Sequence, residues 1–168
     1  MSQLTEPREL LKHELADLLY AERRFLTATR AMAREANYPV LKARLAQHVE
    51  ETEAQIERLK EAFAALGEDA KGERCEAAIG LREEFDAFKE DERPSKPMLE
   101  AFNLGSGLRV EHYEIAAYRT AIAIATALGH DEVVRPLRES LAEEEAMAAF
   151  LEKNAPAALL QLFESAGV

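Results

Sequence analysis

Residues 11–36 read LKHELADLLYAERRFLTATRAMAREA, and a regular stripe runs through them in alternating steps of four and three residues. Such spacing is typical of the buried face of an α-helix. The stripe is apolar at most positions, but Glu22 takes a position where leucine would be expected. Its members are Leu11, Leu15, Leu18, Glu22, Phe25, Thr29, Met32 and Ala36. The stretch therefore predicts a long helix that buries one carboxylate.

Two further stripes contain a carboxylate in the same way. The second comprises Val110, Glu114, Ala117, Ala121, Ile124 and Leu128. The third comprises Val134, Leu137, Leu141, Glu144, Ala148, Leu151 and Ala155. Burying a lone carboxylate is costly, and three carboxylates that converge in one core also repel each other. A bound cation would remove both penalties, so the three stripes predict a metal site inside a helical bundle.

The composition restricts the partners of the chain. Its 168 residues fit one domain spanning residues 1–168, and 48% apolar and 32% charged residues are typical of a globular protein. The formal net charge of -11 argues against nucleic acid and against an anionic membrane surface as partners. The acidity serves either solubility alone or the attraction of cations such as ferrous iron.

The cysteine content and the hydropathy indicate the compartment. Cys75 is the one cysteine, so the chain has no internal disulfide and suits a reducing environment. Residues 1–7 are polar and acidic, and no apolar run is long enough to cross a membrane. We therefore expect a cytoplasmic protein.

The order of the predicted elements indicates the fold class. Four long helices are predicted over residues 9–36, 40–66, 98–128 and 131–154, with Thr5 and Asp131 as N-caps. The long connection over residues 68–95 contains a shorter helix, and a short C-terminal helix follows Pro156. One long crossover in a four-helix bundle is the ferritin-like arrangement. We therefore predict an all-α, ferritin-like four-helix bundle with a crossover helix and a short C-terminal helix.

Six residues are the candidate metal ligands. The second helix has Thr52 in its stripe, with His48 and Glu51 beside it and three residues apart. Glu111 lies one turn before Glu114. Carboxylates with an imidazole suit iron, manganese or zinc rather than soft metals. The predicted ligands, for a di-iron or di-manganese centre, are Glu22, His48, Glu51, Glu111, Glu114 and Glu144.

Each candidate also has a purely structural interpretation. The three stripe carboxylates would then belong to a buried polar network with Thr52, Tyr20, Tyr113 and arginine side chains. His48 would be a surface histidine bonded to a neighbouring carboxylate. The other acidic residues of the second and fourth helices fit a solvated face paired with arginine and lysine. These residues are Glu50, Glu53, Glu143 and Glu145.

Several runs of sequence resemble one known family. They are DLLYAE (17–22), HVEET (48–52), QIERL (55–59), VEHYEIAAY (110–118) and ESLAEE (139–144). These runs are similar to the YciE/YciF-type ferritin-like family. The resemblance implies a four-helix ferritin-like domain, often dimeric, with a di-metal centre and an association with bacterial stress responses. The chain departs from rubrerythrin-like domains because it lacks both Glu-x-x-His motifs.

Two functions from different classes follow. The first is a non-haem di-iron or di-manganese carboxylate protein, a homodimer acting on ferrous iron, dioxygen or peroxide, with ferroxidase or peroxide-scavenging activity left open. The second is a metal-free helical stress or scaffold protein that works through its surface. The first predicts that divalent metals raise the stability of the fold, and the second predicts that they do not.

Overall fold

The computed structural model describes residues 4–167 as five α-helices, and none of these residues lies in a β-strand. The helices are α1 (Pro7–Glu35), α2 (Pro39–Ala65), α3 (Glu76–Asp91), α4 (Lys96–Ala127) and α5 (Asp131–Ser165). The all-helical prediction is confirmed, as is the short helix in the long connection between α2 and α4. Within the described range, no helix is both long and apolar enough to span a membrane.

The four long helices pack in a closed ring. Helix α1 contacts α2, α2 contacts α5, α5 contacts α4, and α4 contacts α1. Three-residue connections join α1 to α2 and α4 to α5, so each of these pairs forms an antiparallel hairpin. Helix α3 lies against α1 and α4 on the outside of the ring. All four long helices therefore face one shared interior.

That interior contains two large apolar clusters. The first is centred on Leu15, Leu59 and Leu137, and the second on Leu41, Leu104 and Met147. Every long helix contributes to both clusters, at different points along its length. On α2, α4 and α5 buried polar residues separate the two contributions, whereas on α1 Glu22 lies between Leu19 and Leu26 of the first cluster. The polar residues consequently form a layer between two apolar regions.

Two predicted N-caps are wrong. The N-cap of α1 is Glu6 rather than Thr5, since Pro7 occupies the first helical position, where a missing backbone N–H costs nothing. The N-cap of α5 is His130, whose carbonyl accepts hydrogen bonds from two backbone N–H groups of the first turn. Gly129, at φ 75°, ends the turn that follows α4. The next residue, His130, is therefore already the cap of α5. Asp131 instead begins the helix, where its charge suits the helix dipole.

The predicted C-terminal helix is also not a separate element, because α5 continues through Pro156 to Ser165. Proline removes one backbone hydrogen bond from a helix interior. Here Ala158 and Leu162 beyond it are buried in the second apolar cluster, and this packing holds the helix together. The Asn154 side chain also donates to the Phe150 carbonyl at 2.8 Å. Tertiary burial therefore overrides the breaking signal of the proline.

A buried carboxylate outside the polar layer joins α4 to the turn between α1 and α2. Glu100 is 5% exposed and accepts three hydrogen bonds. The donors are the Asn37 backbone N–H at 3.0 Å, the Asn37 side-chain amide at 3.1 Å and the Tyr38 backbone N–H at 2.9 Å. These N–H groups have no helical partner at this point of the chain. Glu100 thereby fixes the orientation of the first hairpin relative to α4.

We predict that Glu100→Ala lowers the free energy of unfolding by about 3 kcal/mol, because two backbone N–H groups lose a charged acceptor in a partly buried turn. Urea denaturation followed by circular dichroism measures the change. Glu61→Ala, an exposed position on α2, is the matched control, and we expect it to change stability by less than about 0.5 kcal/mol. Equal effects of the two substitutions would contradict this role of Glu100.

Candidate metal centre

The polar layer consists of ionisable side chains that are almost completely buried. Helix α1 provides Glu22, α2 provides His48, α4 provides Glu111 and Glu114, and α5 provides Glu144. The least buried of them, Glu111, is only 4% exposed. Charged groups are rarely buried to this extent unless they are paired or coordinate a metal.

Three of these residues meet at one point. His48 Nε2 lies 3.4 Å from Glu111 Oε2 and 3.8 Å from Glu144 Oε2. One potential ligand atom from each of the three lies within 4.8 Å of the others. Metal–ligand bonds of roughly 2.0–2.2 Å bring the ligands of one ion to about 3 Å from each other. A small inward movement of these side chains would therefore suffice to hold a cation.

The other two carboxylates lie in the same layer. Glu22 accepts a hydrogen bond from the Tyr118 hydroxyl through one oxygen. The negative charges of Glu22 and Glu111 act on Glu114, and those of Glu114, Glu111 and Glu22 act on Glu144. The layer thus forms one electrostatic unit that spans all four long helices.

Four carboxylate oxygens of this layer are buried without a hydrogen-bond donor among the described residues. They are Glu22 Oε2, Glu111 Oε2, Glu114 Oε1 and Glu144 Oε2. A buried polar atom that lacks its partner costs about 1–3 kcal/mol. Four such oxygens and one imidazole nitrogen are hard and borderline donors, which suit iron, manganese or zinc. The residues present therefore fit a divalent metal ion.

The pKa values of the layer reflect this concentration of charge. Burial raises the pKa of Glu22 to about 8, against the opposing effects of the Tyr118 hydrogen bond and the His48 charge. Burial and the neighbouring carboxylates also raise the pKa of Glu114 and of Glu144 well above the usual range. Burial lowers the pKa of His48, but Glu111 and Glu51 outweigh it and raise the value to about 9. Without a metal, the layer therefore retains protons at neutral pH.

Glu51 lies on the other side of the imidazole. Its Oε2 is 3.1 Å from His48 Nδ1 and accepts a hydrogen bond from Arg44 at 2.7 Å. Burial raises the pKa of Glu51, but its bonds with His48 and Arg44 lower it to about 2. Glu51 thus contacts the ring nitrogen opposite the one that approaches Glu111 and Glu144.

Two polar residues support the layer from behind. Gln55 is fully buried, and its amide donates to Glu144 Oε1 and, at 3.0 Å, to Glu143 Oε2. Gln55 is not among the predicted ligands, although it follows His48 along the same edge of α2 at steps of four and three. Tyr118 is also fully buried and donates to Glu22.

Thr52, Tyr113 and Tyr20, the side chains named for the structural alternative, do not bond to the carboxylates of the layer. Thr52 donates to the His48 carbonyl at 2.9 Å, and Tyr113 is bonded to Cys75 at 2.9 Å. The hydroxyl of Tyr20 accepts from Arg24 at 3.3 Å. These groups are therefore engaged elsewhere, and they leave the four oxygens without donors.

The outer acidic residues behave as the charge pattern predicts. Glu143 forms a two-pronged ion pair with Arg58, at 2.7 and 2.8 Å. Glu145 pairs with Arg119 at 2.7 Å, on the exposed side of α5. Glu53 pairs with Arg30 across the α1–α2 contact. These pairs confirm that the three acidic residues belong to a face that is paired with arginine.

Together, the fold and the layer define an all-helical protein with a buried His–Glu–Glu cluster that could hold a metal ion. The chain belongs to the family described as a domain of unknown function (DUF892), whose model matches residues 6–163. Protein YciF of Escherichia coli K12 is 33% identical over 135 residues, which cover 80% of this chain and 81% of YciF. These matches confirm the resemblance to YciF-type proteins.

Solved structures share the same fold. YcfI of Rhodopseudomonas palustris, described as a proposed structural protein, has a TM-score of 0.84 and 40% identity, covering 89% of this chain and 95% of YcfI. The crystal structure of the E. coli stress protein YciF has a TM-score of 0.84 and 29% identity, covering 93% and 98%. A protein from Xanthomonas campestris has a TM-score of 0.79 and 26% identity, covering 97% and 100%.

We predict that the metal-free protein loses stability as the pH rises from 5 to 8. The folded state keeps the Glu22 proton up to about pH 8, whereas the unfolded state releases it near pH 4.5. His48 acts in the same direction between 6.5 and about 9. The stability that these groups contribute is therefore present below pH 4.5 and is lost across this window.

In buffers that contain a chelator, we expect the melting temperature at pH 8 to be about 5 °C or more below that at pH 5. Groups with lowered pKa values, such as Glu51, titrate below this window and do not interfere. Glu22→Gln removes one of the titrating groups and should flatten the pH dependence. A melting temperature that stays constant or rises with pH in the wild type would contradict the buried protonated layer.

Proposed function

We propose that this protein is a ferritin-like, non-haem carboxylate protein with a two-metal centre, either di-iron or di-manganese, in the polar layer. The observation that carries the proposal is the set of four buried carboxylate oxygens without donors, next to a histidine nitrogen. The ligands that we assign are Glu22, His48, Glu111, Glu114 and Glu144. The closed ring of four helices with one long crossover supports the ferritin-like assignment.

The charge of the layer matches two divalent ions. Four ionised glutamates and a neutral histidine carry four negative charges, and two divalent cations carry four positive ones. Metal binding would replace the protons that the raised pKa values hold in place, and it would release them to solvent. Ions bound here would supply redox chemistry toward dioxygen or peroxide, which the side chains alone lack.

The residues around the layer would orient its ligands. We assign Glu51 a positioning role, because it accepts the Nδ1–H of His48 while Arg44 holds its carboxylate in place. Once a metal displaced the Nε2 proton, this arrangement would direct the Nε2 lone pair towards Glu111 and Glu144. Gln55 would fix Glu144, and Tyr118 would fix Glu22, through their hydrogen bonds.

The proposed biological role is iron–oxygen chemistry during oxidative stress, as a ferroxidase or a peroxide-scavenging oxidoreductase in the cytoplasm, in a homodimer. The similarity to the E. coli stress protein YciF supports this role. A second candidate is a metal-free scaffold protein that acts through its surface. The description of R. palustris YcfI as a proposed structural protein favours it.

We predict that added ferrous iron or Mn²⁺ raises the melting temperature of the chelator-treated protein. A ligand that binds only the folded state at about 100 times its dissociation constant adds about 2.7 kcal/mol, which corresponds to roughly 5–10 °C for a chain of this size. Anaerobic calorimetry measures the shift, and elemental analysis measures the metal in protein purified without chelator.

Glu114→Ala and Glu144→Ala should each abolish both the shift and the bound metal. Glu145→Ala, the exposed neighbour on α5, should preserve both. If the wild type carries no metal and its melting temperature does not change when iron or manganese is added, the scaffold alternative is the better description.

We also predict that Glu51→Gln weakens metal binding by about 10- to 100-fold without abolishing it, as expected for a residue that only orients a ligand. The glutamine oxygen can still accept the Nδ1–H of His48, but it loses the charge that Arg44 holds. Titration monitored by calorimetry gives the affinity, and Glu53→Gln on the outer face is the control. Complete loss of metal in Glu51→Gln would instead make Glu51 a direct ligand.

A further inference from the structure

A small cavity adjoins the polar layer. Its volume is about 30 Å³, and residues of α1, α2, α4 and α5 line it. Ten of its fourteen lining residues are apolar, among them Phe25, Leu45 and Met147. His48 and Glu111 also form part of the wall. The cavity therefore brings an apolar space into contact with two of the residues that we assign as metal ligands.

The size and the polarity of the cavity restrict what it can hold. One water-sized molecule needs about 10–15 Å³ of such volume, so the space accepts a diatomic molecule. A hydrated cation would lose its water shell against a mostly apolar wall, and this loss is strongly unfavourable. A neutral, apolar molecule of two heavy atoms loses nothing comparable on entering.

The cavity shares one lining residue with a hollow on the outside of the bundle. Asn103 lines both this cavity and a second, polar hollow on the outside of the bundle, which Asn37, Lys96 and Glu100 help to line. Within the part of the chain that the structure describes, Asn103 Oδ1 is buried and has no hydrogen-bond partner. Asn103 thus stands between the solvent-facing hollow and the apolar interior.

We propose that this cavity is the binding pocket and the passage through which dioxygen reaches the polar layer, with Asn103 at its entrance. The inference rests on the proposed function, and it selects dioxygen over ferrous iron as the molecule that uses this route. The ions themselves would enter elsewhere. The cavity assigns a specific role to Gly107, because a larger side chain there would occupy its space.

Dioxygen itself is the probe for this pocket. Its paramagnetism broadens the NMR signals of nearby methyl groups, and chelator-treated, methyl-labelled protein can be studied under a few bar of the gas. We expect selective broadening at Leu45, Met147 and Leu151, which are buried around the cavity. Leu15, Leu19 and Leu59, which are buried in the first apolar cluster, are the internal reference. Equal broadening in the two groups would overturn the proposal.

Two glycines of α4 provide a matched pair of variants. A Cβ at Gly107 would meet Leu151 Cδ1 at 3.5 Å, an ordinary contact, and Gly107 lines the cavity. A Cβ at Gly105 would meet only the Arg109 side chain at 3.6 Å, on the exposed face. We expect Gly107→Leu to abolish the selective broadening and Gly105→Leu to preserve it. If the selective broadening persisted in Gly107→Leu, the proposal that dioxygen passes through this cavity would be wrong.

Gly107→Ala is the milder variant should Gly107→Leu fold poorly, and it should reduce the broadening. The metal content of the same proteins is measured separately. Selective broadening in a chain that binds no metal would contradict the proposed function but support the dioxygen pocket. Metal binding without selective broadening would support the proposed function and contradict the dioxygen pocket.

Discussion

The carboxylates of the polar layer repel each other and have lost their hydration. The rest of the fold has to offset this cost. Glu22, Glu111, Glu114 and Glu144 are held together between two apolar clusters, and they come from three of the four long helices. Such a layer opposes folding unless protons or cations neutralise it. The apolar clusters on both sides supply the stability that allows this unfavourable arrangement to persist.

The environment of each ligand candidate is specified in detail despite that cost. Glu51 and Arg44 orient His48, Tyr118 bonds to Glu22, and Gln55 bonds to Glu144. Glu22 and Glu144 each keep a second carboxylate oxygen that has no donor, and His48 keeps its Nε2 facing Glu111 and Glu144. Support from the outer side, combined with oxygens that lack a donor on the inner side, is the arrangement that favours the proposed metal centre.

Helix existence and the three stripe carboxylates were predictable because a period of 3.6 residues is a local property of the chain. The errors arose where tertiary contacts overrule local signals. Pro156 ends a helix in isolation, but the burial of Ala158 and Leu162 carries α5 past it. Glu100 was not recognised, because the turn that it satisfies lies 62 residues away in sequence. The same limit applies to Gln55, whose partner Glu144 is on another helix.

Spacing along the chain was enough to predict four long helices, an apolar stripe on each helix and a glutamate in three of the stripes, since these properties are local. Which side chains meet became clear only in the folded protein. Folding brought His48 Nε2 to Glu111 and Glu144, turned Glu51 to the other ring nitrogen, and left a small apolar cavity beside them. The reason is physical: contacts between helices depend on their relative rotation and register, which the packing of the whole core sets.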